Sequence, residues 1–193
     1  MNIFRREHAT WHIRFLATCF LWLLVSSSFA QSAPANRDQV RQLLNLIDQR
    51  LAVAPLVARA KWNSGGAIDD PAREQAILEA VSKQAEDAGL DAAFARRFFQ
   101  AQFDAGKMIQ RDLHRQWQAN SQGKFADAPD LGRDVRPVLD RLTPQLIASL
   151  RTLYPQLHQP ETRNVIQSEA ATTFKGDINA TVRDCALRPF LED

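Results

Sequence analysis

The chain has 193 residues, 24 basic against 22 acidic side chains for a formal charge of +2, and 45% hydrophobic residues. That length supports one domain with a real core, and charged and aromatic fractions of 24% and 8% exclude a disordered or low-complexity chain. With only 7 Gly and 9 Pro, collagen-like and loop-dominated folds fall away too.

The sequence pI of about 8.7 raises the question of nucleic-acid binding, and the placement of the charge answers it. Residues 1–30 hold Arg5, Arg6 and Arg14 against Glu7, then a mostly apolar run from Phe15 to Val25, then Ser28, Phe29 and Ala30. A basic start, a short apolar stretch and small residues at −3 and −1 predict a cleavable secretory signal peptide ending at Ala30. The apolar run is too short to span a bilayer, which takes about 20 residues. Removal of 1–30 leaves 163 residues with 21 charges of each sign, and no surplus with which to neutralise phosphates. The exported portion, 31–193, then reads as one periplasmic or secreted domain. Neither nucleic acid nor, after cleavage, a membrane is an expected partner. Cys19 leaves with the signal, so Cys185 is expected to be a buried, inert thiol.

From Arg37 to about Trp62 the residues Val40, Leu43, Leu44, Ile47, Leu51, Ala54, Val57 and Ala58 recur at three and four. This spacing predicts a long amphipathic helix, kinked near 51–55 by Pro55 and ended by Asn63-Ser64-Gly65-Gly66. Asp69 or Asp70 followed by Pro71 opens a second helix that Gly89 closes near Ala88. Asp91 starts a third, carrying Phe94, Phe98, Phe99, Phe103, Ile109, Leu113 and Trp117, which fades at Ser121–Gly123. After a polar loop, a fourth runs from about Leu131 to Leu153. Pro155 and Pro160 precede a last helical segment, Glu161 to Leu191. No strand-period alternation and no repeat is present. The predicted fold class is all-α, a bundle of long helices, with a core at 37–155 and a helical tail at 156–193.

In a bundle, charged residues on an apolar face carry the functional information, because they are almost never buried without a partner. Arg50 lies in the stripe of Ile47 and Ala54, and Lys61 follows eleven residues later, about three turns on. Two cations on one inward face call for an anion. The competing reading has both snorkelling outward to pair with Asp48 or Asp70. Asp70, Arg73 and Glu74 share a face of the second helix, which by itself describes an N-cap and a solvated ion pair. Gln110 sits in an apolar row with Phe103, Gly106, Leu113 and Trp117, so it marks a core hydrogen bond or a ligand contact. Arg136 opens the fourth helix. His114 and His158 have no further companions that would make a metal site, and no phosphate loop or nucleophile–base motif is present. Asn179-Ala180-Thr181 matches the glycosylation sequon, a common chance occurrence.

Taken together, Arg50 and Lys61, then Asp70, Arg73 and Glu74, then Ala105-Gly106-Lys107-Met108-Ile109-Gln110 resemble the active site of the all-helical chorismate mutases, specifically the secreted, gamma-type subclass. The resemblance spans about residues 37–155. It implies a type II chorismate mutase fold with the active site inside one chain, a homodimer, no cofactor and no metal. It also implies the pericyclic rearrangement of the dicarboxylate chorismate to prephenate. An isochorismate pyruvate-lyase of the same fold is the enzymatic alternative, and a helical adaptor of the export compartment the non-enzymatic one.

By that resemblance Arg50 binds a carboxylate, and Lys61 donates to the ether oxygen of the breaking bond and to a carboxylate. Gln110 is the second ether-oxygen donor; an uncharged donor there implies activity without a sharp acidic optimum. Glu74 accepts from the ring hydroxyl, Asp70 caps its helix and offers a backbone contact, and Arg73 supports the carboxylate end. The secreted members take one further carboxylate-binding arginine from a later helix of the same chain, for which Arg136 is the candidate and Arg133 the competitor. Gly106 stands where relatives often have Ser or Thr, and Cys185 lacks the mature disulfide partner that secreted relatives can have.

Overall fold

Leu43, Leu44, Ile47 and Leu51 on the first helix, Phe98 and Phe99 on the long central one, and Leu146, Leu150 and Leu153 on a later one are sealed from solvent. They form a single apolar interior shared by the helices. The structure, a computed structural model, describes residues 37–175 and 178–192, so the expected signal peptide lies outside the described residues. In chain order the helices are α1 (Arg37–Leu51), α2 (Ala54–Ser64), α3 (Pro71–Asp87), α4 (Ala92–Ala119), α5 (Arg136–Leu153), α6 (Pro160–Thr173) and α7 (Ala180–Leu191). A single π turn, Leu131–Val135, leads into α5, and a 3-10 turn, Tyr154–Gln156, leaves it. Among the described residues there is no strand, as the periodicity implied.

Helix α4 is the axis of the bundle: α2, α3 and α7 pack along it, while α1 packs on α5 and α6. Its aromatic face supplies Phe94 and Phe98, which meet Phe190 of α7 at ring-centroid distances of 6.1 and 5.7 Å. The tail is therefore built into the bundle. Gln102 of α4 donates from Nε2 to the Ala186 carbonyl at 2.9 Å, a buried tie to α7.

The expected kink near residues 51–55 is a full break into α1 and α2. Pro55 has no N–H to offer the Leu51 carbonyl, and the chain recovers by turning through Ala52 and Val53, whose carbonyl accepts from Leu56 and Val57 at 3.1 Å. Gly65, at φ 68°, takes the left-handed position that ends α2, and Gly66 N–H returns to the Lys61 carbonyl at 3.0 Å. Asp70 and Asp91 cap α3 and α4, accepting from the backbone N–H of Arg73 and Phe94. A larger correction concerns the last segment. The expected helix over 161–191 is two helices, with Phe174 in extended conformation closing α6 and Asn179 capping α7 through Val182 N–H at 3.0 Å. The sequon asparagine thus has a structural task.

Candidate active site

Arg50 occupies the last turn of α1, where the partial negative charge of the helix end favours a cation. Its guanidinium carbon lies 5.6 Å from the Phe99 ring centroid and 5.5 Å from that of Phe103, close enough for cation–π attraction. It has no hydrogen bond or ion pair among the described residues. Burial pulls its pKa down to about 10, so it remains a cation at neutral pH. Asp48, offered as an alternative partner, instead accepts from the Lys175 backbone N–H at 3.3 Å.

Lys61 follows on α2, beyond the break. Its Nζ donates to the Ile68 carbonyl at 2.7 Å, leaving two of its three protons for other acceptors. Burial lowers its pKa, and the carboxylates of Asp70, Glu74 and Asp69 offset part of that effect. Neither Arg50 nor Lys61 forms an ion pair with Asp48 or Asp70 among the described residues, so the expected snorkelling pairs are not formed.

Both cations line one cavity of about 330 Å³, near the lower end of the usual size for small-ligand sites, about 300–1,000 Å³. Helix α3 and its N-cap supply Arg73, Glu74 and Asp70 to its wall, and α4 supplies Gly106 and Gln110. Gln110 is 7% exposed, and its carboxamide oxygen is buried with no partner. Its Nε2 makes no hydrogen bond among the described residues, which leaves a donor at the cavity wall. The N-terminal end of α5 supplies Arg136. A loop strapped to α2 sets that approach: Asn63 and Phe125 exchange two hydrogen bonds, at 2.7 and 2.8 Å. The π turn that follows is capped by Asp130, which accepts from Arg133 N–H at 2.7 Å. Arg133 itself is 78% exposed and paired with Asp134, away from the cavity lining. All eight residues singled out in the sequence therefore line the same cavity, from five helices of one chain and the N-cap of α3.

Four further polar residues of the lining have no functional assignment: Gln102, Lys107, Asp140 and Thr143. Gln102 is eight residues before Gln110 on the same face of α4, so its polar character in an apolar row was a usable signal. Asp140 and Thr143 follow Arg136 at four and seven. Lys107 is adjacent to Gly106 and pairs with Glu74 at 2.9 Å, with Asp104 at 3.3 Å and with Asp69 at 3.8 Å. The ionisable lining consists of five cations, Arg50, Lys61, Arg73, Lys107 and Arg136, against three carboxylates, Asp70, Glu74 and Asp140. The surplus of two positive charges suits a small dianion.

His114 plays no part in this cavity: its Nε2 lies 2.9 Å from the Ala58 carbonyl, and its ring packs edge-on against Trp62. Cys185 is a partly buried free thiol, with Sγ 4.0 Å from the Ala101 carbonyl and a pKa raised by burial.

Comparison with known proteins agrees with the geometry. Residues 38–111 match the family model for chorismate mutase type II. The secreted chorismate mutase of Mycolicibacterium smegmatis is 34% identical over 147 residues, 74% of this chain and 81% of that protein. The secreted chorismate mutase of Yersinia pestis is 26% identical over 135 residues, 69% of this chain and 73% of that protein. The crystal structure of a chorismate mutase from Burkholderia thailandensis superimposes with a TM-score of 0.72 at 36% identity, covering 79% of this chain and 98% of that one. The chain belongs to the type II chorismate mutase family.

Proposed function

We propose that the protein is an exported chorismate mutase whose cavity rearranges chorismate to prephenate. The observation that carries this reading is Arg50, a half-buried guanidinium with no anion beside it, in a cavity whose ionisable side chains sum to two positive charges. Chorismate brings two carboxylates and rearranges in one concerted step. Its transition state needs a folded conformer and stabilisation of the negative charge that develops on the ether oxygen as its C–O bond breaks. Oriented donors and cations supply both without a nucleophile. A millionfold acceleration corresponds to about 8 kcal/mol, within the reach of these effects together.

In this reading Arg50 takes one carboxylate in bidentate fashion, and Arg136 and Arg73 hold the other end. Lys61 Nζ and Gln110 Nε2 donate to the ether oxygen. Glu74 accepts from the ring hydroxyl, and Asp70 fixes the start of α3. Gly106 offers no side-chain hydroxyl. Every side chain of the cavity comes from one chain, so a homodimer, which the family resemblance implies, would not need to share sites. Export is supported by the signal-like pattern of residues 1–30 and by the secreted relatives. Among the described residues no helix is long and apolar enough to cross a membrane.

The test is to incubate the purified protein with chorismate and, separately, with isochorismate, and to identify the products. Prephenate from chorismate is the expected result. Salicylate and pyruvate from isochorismate would reassign the site to a lyase, and turnover of neither would leave a helical binding protein.

A further inference from the structure

Lys107 sits on α4 between Gly106 and Gln110, with its side chain only 15% exposed. Its ammonium donates to Glu74 Oε2 at 2.9 Å and lies 3.3 Å from Asp104 Oδ1 and 3.8 Å from Asp69 Oδ1. Burial works against its charge, and the hydrogen bonds and fields of Glu74 and Asp104 outweigh that effect, so its pKa is raised. With acceptors on three sides, this ammonium has little left to offer a ligand. In this it differs from Lys61, which spends one proton on Ile68 and keeps two. Glu74 is engaged through Oε2 alone; its Oε1 makes no hydrogen bond among the described residues. Asp104 in turn takes Arg188 of α7 at 3.4 Å, so a chain of charges runs from α3 across α4 to α7 and ends on Glu74.

We infer that Lys107 is a positioning residue for substrate binding. It holds one oxygen of Glu74, leaving the other to accept the ring hydroxyl, and it neutralises a carboxylate that would otherwise repel the incoming dianion. The inference rests on the reading of Glu74 as the hydroxyl acceptor. Without Lys107, the excess charge of the lining drops from two to one, and Glu74 loses its only partner on α4 among the described residues. Ground state and transition state both carry the hydroxyl, so the effect falls on KM rather than kcat.

The test uses steady-state kinetics with chorismate on Lys107→Met and Lys107→Arg, each also on a Glu74→Gln background, with thermal unfolding of every variant. Lys107→Met is expected to raise KM about tenfold, the size of a lost charge-assisted hydrogen bond, with kcat within about threefold of the wild type. Lys107→Arg restores KM to within about threefold, because it keeps the charge. On the Glu74→Gln background the Lys107→Met change adds less than about twofold, since the two residues act as one unit. An unchanged KM, an equal penalty on both backgrounds, or a loss confined to kcat and thermal stability would each overturn the inference while leaving the mutase reading intact. A wild-type protein that fails to turn chorismate over would remove both.

Discussion

Arg133 and Arg136 stand three residues apart at the entry to α5, and their side chains meet different surroundings. Arg133 is 78% exposed, and its guanidinium is paired with Asp134 at 2.9 Å. Arg136 lines the cavity and forms no ion pair among the described residues. Arg133 lies inside the π turn Leu131–Val135 and Arg136 directly after it, and the wider turn rotates the residues that follow relative to an ordinary helix. Arg136→Ala is therefore expected to raise KM and lower kcat/KM by about a hundredfold, the cost of removing a charged carboxylate contact. Arg133→Ala should stay within about twofold, because an exposed ion pair contributes about 0–1 kcal/mol. Steady-state kinetics of the two variants check the pair, and reversed results would show that the entry to α5 is turned the other way.

Lys61 carries a heavier load, since the proposed ether-oxygen contact exists mainly in the transition state. Removing one preorganised donor of this kind costs about 10²–10³-fold in kcat. Lys61→Ala is expected to lose at least that much. Its other bond, to the Ile68 carbonyl at 2.7 Å, ties down the loop before α3, so a small drop in unfolding temperature accompanies the loss. Circular dichroism should show unchanged helix content. A kcat within threefold of the wild type would remove Lys61 from the chemistry.

How much of this was legible beforehand differs between residues for physical reasons. Arg50, Lys61 and Gln110 break a strong apolar period, and a helix shows its buried face through that period whatever packs against it. Their place on an apolar face can thus be read from spacing, even though the break at Pro55 puts Arg50 and Lys61 on separate helices; that they share a cavity comes from the family resemblance and the fold. Lys107 could not be read in this way. Its significance depends on Glu74, 33 residues away on another helix, and a lysine on a partly polar helix face looks the same with or without that partner. The division of the tail into α6 and α7 is hidden in the sequence because apolar residues continue at helical spacing on both sides of it. Asn179 is itself a cap signal, but the same three residues read equally well as a chance sequon. The π turn has no compositional signature at all, and only the fold shows it.

Activity against pH follows from the two half-buried cations, Arg50 and Lys61. Burial lowers the pKa of Lys61 below its ordinary 10.5 and that of Arg50 to about 10, and both must be protonated to hold a dianion. Activity is then full below these values and lost as pH rises through them. The alkaline limb of kcat/KM, which reports the free enzyme, should fall at a lower pH than an unperturbed lysine would give. Bound dianion favours the charged forms and raises both pKa values, so the limb of kcat should lie at higher pH than that of kcat/KM. At the acid end Gln110 has no proton to lose. Gln110→Glu should therefore convert a flat neutral profile into one that declines as the new carboxyl ionises. Coincident alkaline limbs for kcat and kcat/KM, or a flat profile for Gln110→Glu, would contradict the assignments.

Gly106 lies in the middle of α4, where a glycine costs about 0.5–1 kcal/mol relative to alanine through backbone entropy. A Cβ built there would meet its nearest neighbour, the Cβ of Ala54, at 3.9 Å, an ordinary contact. The backbone φ is not in the left-handed region, so neither space nor conformation requires glycine. Gly106→Ala should accordingly stabilise the fold by up to about 1 kcal/mol, seen as a rise of about 2–4 °C in unfolding temperature for a chain of this size. Its added methyl group faces α2, between Arg50 and Lys61 in sequence, and has nothing to offer a polar ligand. Gly106→Ser should give a smaller gain in stability, because serine is the weaker helix former, together with a lower KM if its hydroxyl reaches a substrate carboxylate. Calorimetry and kinetics on the pair separate these effects. If Gly106→Ala lowers the unfolding temperature or blocks turnover, α2 and α4 are packed more tightly during catalysis than the 3.9 Å gap shows, and the glycine is there to permit that approach.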